Sequence, residues 1–152
     1  MPVLDDDMKR VVSEQQLGFV ATVNADGTPN VSPKGTLSVW DDEHLMFVDI
    51  RSPQTAANLE RNAAVEVNVV DPLLRKGYRF RGVAEVHRDG PIFDRVVAER
   101  RSRGNPLVVQ SVVIIRVEVA VPVTSPAYDL GEDERSIRAR WLTYWTQLWS
   151  RM

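Results

Sequence analysis

The sequence predicts a mainly β fold, a small antiparallel barrel with peripheral helices, on three observations. Several short valine-rich runs alternate apolar and polar residues, which is the period of a half-buried strand. The connections between the first three runs are too short for the helical crossovers that a parallel sheet needs. Six or so strands with short helices between them, in 152 residues, favour a closed or nearly closed barrel.

The first fifty residues predict a helix and a three-stranded meander. Acidic residues stand in the first turn before the apolar face of Met8, Val11 and Val12, which indicates an amphipathic helix. Asp26-Gly27 between two β-prone runs is a strong hairpin signal, because the tight turn needs positive φ. The expected bounds are 5–16 for the helix and 17–23, 30–40 and 45–50 for the strands.

The remainder predicts three further helices and three further strands. Ser52 and Pro53 mark a helix start, as N-cap and first helical residue. The sequence Gly104-Asn105-Pro106 ends the next helix, and valines alternate cleanly near the end of the last strand. The expected bounds are 53–62, 91–103 and 132–149 for the helices and 64–70, 78–87 and 107–123 for the strands.

Length and composition are those of a single domain over residues 1–152, with a C-terminal helix within 132–150. Hydrophobic residues make up 43% of the chain and charged residues 26%, which is sufficient for a core. The formal net charge of −2 is too balanced for a general polyanion binder. The N-terminus is acidic, and charged residues and a proline interrupt the most apolar run, 107–123. We therefore expect a cytoplasmic protein with no membrane partner.

The residue inventory excludes several chemistries and predicts no metal site. Cysteine is absent, which removes disulfides, thiolate nucleophiles and Cys-ligated metals. The two histidines, His44 and His87, are too few for a three-histidine site, and neither has an evident catalytic partner in the sequence. Catalytic residues therefore stay unknown. If the protein performs redox or group-transfer chemistry, the reactive atoms come largely from something it binds.

The segment from Asp49 to Leu59 carries a candidate anion site. A strand ends, Arg51 follows, and the Ser-Pro helix start leaves the N–H groups of Gln54 and Thr55 without intrahelical partners. With the hydroxyl of Ser52 and the positive end of the helix, these donors suit a phosphate. An ordinary capped helix beside a surface arginine is the alternative.

The segment from Asn30 to Leu37 is the second candidate. Pro33 and Gly35 interrupt regular pairing and allow a ligand to approach the backbone, and Lys34 adds a positive charge. A bulged edge strand is the alternative explanation.

Two further patterns favour structural explanations. In the basic run 75–81, strand alternation directs Tyr78 away from Arg79, so no shared stacking and charged face forms and nucleic acid is not an expected partner. On the last helix, an aromatic stripe is formed by Trp141, Trp145 and Trp149. Such a stripe normally packs on the body of the protein or on another subunit; the alternative is that it covers a flat cofactor.

The order of these motifs, over about residues 10 to 120, resembles the pyridoxamine 5'-phosphate oxidase-like, FMN-binding split β-barrel family. The resemblance implies a six-stranded antiparallel barrel, a homodimer with two FMN molecules at the subunit interface, and an oxidoreductase acting on an unknown small molecule or electron donor. It implies the following cofactor contacts: Ser32, Pro33, Lys34 and Gly35 along the isoalloxazine; Asp49, Ile50, Arg51 and Ser52 at the strand end; Gln54, Thr55 and Asn58 on the phosphate side; and Tyr78 and Arg79 on a later strand.

The sequence departs from the family pattern at one place. Many members have Arg-Lys where this chain has Gln54-Thr55, which lowers the positive charge available to a phosphate. The departure leaves a deazaflavin-dependent reductase as an alternative to an FMN oxidoreductase. A non-catalytic flavin carrier or electron-transfer protein on the same scaffold is a further alternative. The segment 138–141 does not align with the substrate-binding end of true pyridoxamine-phosphate oxidases, so the vitamin B6 reaction is not assigned.

Overall fold

The structure is a computed structural model that describes residues 2–152. Within these residues, seven strands form one antiparallel sheet in the order β2-β1-β5-β6-β7-β4-β3, and four α-helices surround it, which confirms the mainly β class. The strands are β1 Gly18–Val23, β2 Pro29–Lys34, β3 Ser38–Val39, β4 His44–Asp49, β5 Ala64–Asp71, β6 Lys76–His87 and β7 Ser111–Thr124. The helices are α1 Asp6–Gln15, α2 Pro53–Arg61, α3 Gly90–Ser102 and α4 Glu134–Trp149, with a 3₁₀ turn at Pro126–Tyr128.

The expected strand over 30–40 is two strands, so the sheet has seven strands rather than six. The hydroxyl of Thr36 accepts a hydrogen bond from the Val48 amide at 3.1 Å and donates to the Val48 carbonyl at 3.3 Å. A side chain here replaces the backbone pairing of a regular ladder, and the chain bends between β2 and β3. The bend brings the end of β2 beside the end of β4.

The last strand begins later than expected. Residues 107–110 lie outside β7, which starts at Ser111. The amide of Gln110 donates to the carbonyl of Asp49 at 2.8 Å, so this segment is tied to the end of β4. The apolar run 107–109 is therefore not a strand but an exposed or half-exposed connection after α3.

The core fills the concave side of the curled sheet. Alternate residues of β5, Val65, Val67 and Val69, are fully or almost fully buried and share a cluster with Phe47 and Phe80. The side chains of α1 and α2 are buried against this cluster, through residues such as Val12 and Leu59. These helices cover barrel surface that the strands leave open.

The tryptophan stripe of α4 is only partly packed on the body. Ile137 is the buried residue of α4, and the Arg75 guanidinium lies 3.4 Å from the centroid of the Trp141 ring. Trp149 is 67% exposed. Among residues 2–152, no helix is both long and apolar enough to cross a membrane.

Candidate functional site

The bend after β2 brings together two of the segments predicted from the sequence. Lys34 is 5% exposed and Asp49 is 2% exposed, and the Lys34 Nζ lies 5.5 Å from the centroid of the Phe47 ring. Burial lowers the pKa of Lys34 below its usual value, and the carboxylate of Asp49 partly opposes this effect. The ends of β2 and β4 therefore place an amine and a carboxylate together inside the fold.

Asp49 also shapes the start of α2. Its Oδ1 accepts a hydrogen bond from the Ser52 amide at 2.7 Å, which fixes the turn between β4 and the helix. The exposed Arg51 stands at the outside of this turn. The strand end, the arginine and the helix start form one unit, as expected from the sequence.

Ser52 is the N-cap of α2 and Pro53 its first residue, as predicted, although Ser52 makes no side-chain capping bond. One detail of the predicted helix start is wrong. The Thr55 amide donates to the Ser52 carbonyl at 3.1 Å, so it is not free. Among residues 2–152, the Gln54 backbone amide and the Ser52 hydroxyl donate no hydrogen bond and are available to a ligand.

Asn58 lies on the inner side of α2 and has its hydrogen-bonding capacity filled by the protein. Its Nδ2 donates to Thr22 Oγ1 at 3.0 Å and Asn24 Oδ1 at 2.9 Å. Its Oδ1 accepts from Gln54 Nε2 and Arg61 Nη2, both at 2.8 Å. Thr55 is also buried. These two residues hold α2 on the sheet in the single chain.

The other residues of the first predicted segment divide between the two faces of the sheet. Ser32 is half-buried on the same side as Lys34, whereas Pro33 is exposed on the opposite side. Gly35 is exposed just beyond the strand. Ile50 packs against a second, smaller core cluster, as does Phe93. The alternation of β2 therefore lets only part of this segment face Asp49.

Tyr78 and Arg79 are not brought to the start of α2 by the single chain. Tyr78 donates to Asp7 of α1 at 2.5 Å, and this hydrogen bond raises the pKa of Tyr78 to about 12. Arg79 points to the other face of the sheet, with its Nε 3.2 Å from Glu66 Oε1. Their opposite directions follow from strand alternation.

Ser111 is a residue that sequence reasoning missed. It pairs directly with Asp49 in the β4–β7 register, it is fully buried, and its Oγ has no hydrogen-bond partner within residues 2–152. An unsatisfied buried hydroxyl is uncommon. The polar pair Gln110-Ser111 inside an otherwise apolar run was the available signal.

The convex face of the sheet carries an exposed apolar band. The register places its members on adjacent strands, with Phe19 opposite Pro33 on β2 and Ala21 opposite Val31. The exposed fractions reach 46% for Phe19 and 62% for Val31. Val119 and Val121 of β7 form a second exposed apolar patch, which the polar residues of β5 and β6 separate from the first: Glu66, Asn68, Arg79 and Arg81. A band of this kind is typical of a surface that associates with another molecule.

Comparison with known proteins identifies the family. The profile of the family described as pyridoxamine 5'-phosphate oxidase matches residues 4–121. HupZ of Group A Streptococcus is 34% identical, with a TM-score of 0.72 over 80% of this chain and 95% of that chain. Among curated proteins there is no match.

Two more distant solved structures share the fold. An F420 reductase is 24% identical, with a TM-score of 0.60 over 78% of this chain and 98% of that chain. An FMN-binding protein from Syntrophomonas wolfei is 14% identical, with a TM-score of 0.64 over 78% of this chain and 84% of that chain. The family profile, the identity to HupZ and the split-barrel fold agree with the resemblance seen in the motifs. The chain belongs to the pyridoxamine 5'-phosphate oxidase-like family.

Proposed function

We propose that the protein is a homodimeric FMN-binding oxidoreductase that acts on a small molecule or an electron donor. The observation that carries this proposal is the start of α2. There, available hydrogen-bond donors and Arg51 directly follow Asp49, whose carboxylate interacts with the buried Lys34, in a chain of this family. The cofactor, when bound, would supply hydride or electron transfer.

The residues at the start of α2 suit the phosphate of FMN. The Ser52 hydroxyl and the Gln54 amide are donors without partners among residues 2–152. The first turn of α2 contains no acidic residue, and the Asp49 carboxylate before the helix accepts from the Ser52 amide, which leaves the Gln54 amide to a ligand. The guanidinium of Arg51 adds a charge that can bind two oxygens at once. Together these groups form an anion-binding corner.

The buried groups behind this corner suit the polar edge of a flavin ring. The unsatisfied Ser111 hydroxyl can donate or accept one hydrogen bond. The Lys34 amine donates, and its lowered pKa makes loss of its proton easier than for an exposed lysine. The fully buried Phe47 lies beside this amine and provides it with apolar surroundings. This chain thus offers orientation and hydrogen bonds, while a group that transfers electrons has to be bound.

A second copy of the chain completes the proposed site. Arg51 and Gln54 are exposed in the single chain, so a cofactor held there would have one side open to water. The apolar band on the convex face gives the second copy a surface to cover. In such a dimer Arg79, which lies on that face, would contact the cofactor bound by the opposite subunit.

Deazaflavin is the second candidate cofactor. The chain has Gln54-Thr55 where two cations are common in the family, and Thr55 is buried with its amide already bonded. A phosphate would therefore depend mainly on Arg51. The F420 reductase of the same fold makes a deazaflavin a reasonable alternative. A non-catalytic flavin carrier on the same scaffold would bind the cofactor without turnover.

Titration of FMN fluorescence tests the proposal. We expect quenching on addition of the protein, and a loss of about 1.5–3 kcal/mol of binding free energy in Arg51→Ala, because a charge-assisted hydrogen bond is removed. Arg151→Ala, which removes an exposed arginine outside the site, is the matched control. Absent quenching with FMN, but binding of F420, would favour the deazaflavin. Bound flavin without oxidation of nicotinamide donors would favour the carrier.

A further inference from the structure

We propose that the groove between α3 and residues 105–109 binds an amphipathic organic anion, a molecule with an apolar body and a carboxylate or sulfonate head. The proposal rests on the shape, the lining and one unsatisfied charged donor of this groove. It does not depend on the flavin function, because none of its lining residues belongs to the proposed cofactor site.

The groove has the size and the walls of a small-molecule site. Its volume is 350 Å³, within the range of roughly 300–1,000 Å³ that is usual for ligand pockets. Phe93 and Val97 form the α3 wall, and Leu107 and Val108 form the opposite wall. Leu107 is 56% exposed and Val108 is 71% exposed. Two apolar residues displayed at the mouth of a concave site leave apolar surface for a ligand to cover.

Arg100 supplies the polar end of the groove. Its Nε is buried and has no hydrogen-bond partner within residues 2–152, and Arg101 stands beside it in the lining. The lining residues include no carboxylate, and the nearby Glu99 is directed to Arg95, with 3.4 Å between Oε1 and Nε. A buried N–H of a charged group without an acceptor is costly. A negatively charged ligand group that accepts a hydrogen bond from this N–H would remove that cost.

This combination favours a small anion over a protein segment. A guanidinium fork at one end and apolar walls at the other match a molecule whose charge and apolar body are separated. The groove is supported from below, because Val109 and Phe93 pack against the smaller core cluster that contains Val96. The site is thus preorganised, which reduces the entropy lost on binding.

Fluorescence of 8-anilinonaphthalene-1-sulfonate, displaced by octanoate, measures binding directly. We expect Arg100→Gln to weaken the affinity for the probe by about tenfold or more, through loss of the charge-assisted bond. Arg103→Gln changes the net charge equally at an exposed position outside the lining, and we expect less than about a twofold effect. Val97→Trp, which fills the groove, should abolish the signal. Octanoate should displace the probe far better than 1-octanol.

Equal effects of Arg100→Gln and Arg103→Gln, or equal displacement by octanoate and 1-octanol, would overturn the proposal. So would unchanged probe binding together with a change of native mass in Arg100→Gln, since the groove would then be a contact between chains. If Arg100→Gln does not fold, as judged by circular dichroism, Arg100→Lys keeps the charge but loses the planar fork. A normal probe affinity in both Arg100→Lys and Val97→Trp would equally contradict a site in this groove.

Discussion

Replacing Asn58 by alanine removes the amide that joins α2 to the end of β1. The wild-type side chain is fully buried, and one of its partners, Thr22, is 3% exposed. Alanine leaves the Thr22 hydroxyl and the Asn24 side chain without the Nδ2 donor that reaches them at 3.0 and 2.9 Å. It also removes the acceptor of Gln54 and Arg61, which stand at the wetter rim and can rebind water.

The expected loss of the free energy of unfolding is about 2–4 kcal/mol. The two inward bonds account for most of it, at about 1 kcal/mol each plus the cost of leaving buried polar groups unpaired. Urea denaturation followed by tryptophan fluorescence measures the change as a shift in midpoint at constant slope. Gln54→Ala, which removes only the rim bond at Nε2, should cost less than about 1 kcal/mol.

A loss in Asn58→Ala no larger than in Gln54→Ala would refute this reasoning. If the stability were unchanged while FMN binding disappeared, Asn58 would be a cofactor contact in the sense that the family resemblance implies, rather than a residue that holds the helix in place.

Further predictions concern the titrating groups and the tight strand crossing. The folded protein should show one tyrosine whose absorbance titrates at about 12, and Asp7→Asn should bring the pKa of Tyr78 back towards 10. Because the pKa of Tyr78 is raised on folding, stability should fall as the pH rises from 10 to 12, and Asp7→Asn should lose this slope. Because the pKa of Lys34 is lowered on folding, the free energy of unfolding of the wild type should rise as the pH approaches 10.5, and Lys34→Met should lose this slope; a pH series of urea curves checks both. Gly82→Ala should cost at least about 1–3 kcal/mol, because a Cβ would lie 2.0 Å from the Arg116 carbonyl oxygen, whereas Gly35→Ala, with 3.9 Å to its nearest atom, should cost little; equal thermal midpoints for these two variants would contradict the packing argument.

Most of the fold was predictable from short sequence patterns, because turns and strand alternation depend on residues that are adjacent in the chain. The Asp26-Gly27 turn forms as expected, with Gly27 at φ 84°, and valine alternation places Val65, Val67 and Val69 in the core. Pro33 and Gly35 predicted interrupted pairing after β2, but the division into β2 and β3 was not predicted, since it depends on the hydroxyl of Thr36 bonding to a strand twelve residues away.

Only the part of the candidate site that is formed by neighbouring residues was predictable from the sequence. Arg51 and Ser52 are adjacent in the chain, so the helix start could be found from the sequence. The proximity of Lys34 to Asp49 depends on the bend after β2, which only the resemblance to the family suggested. Ser111 was missed because its pairing with Asp49 is set by the register of two strands distant in sequence.

Two copies of this chain are proposed to hold flavin between them, and native mass spectrometry after incubation with FMN measures both the number of chains and the number of flavins. We expect a dimer that carries two FMN molecules, and loss of both flavins from the dimer in Arg51→Ala at concentrations where the wild type stays loaded. A monomer with bound FMN, or a dimer to which no FMN binds, would contradict it.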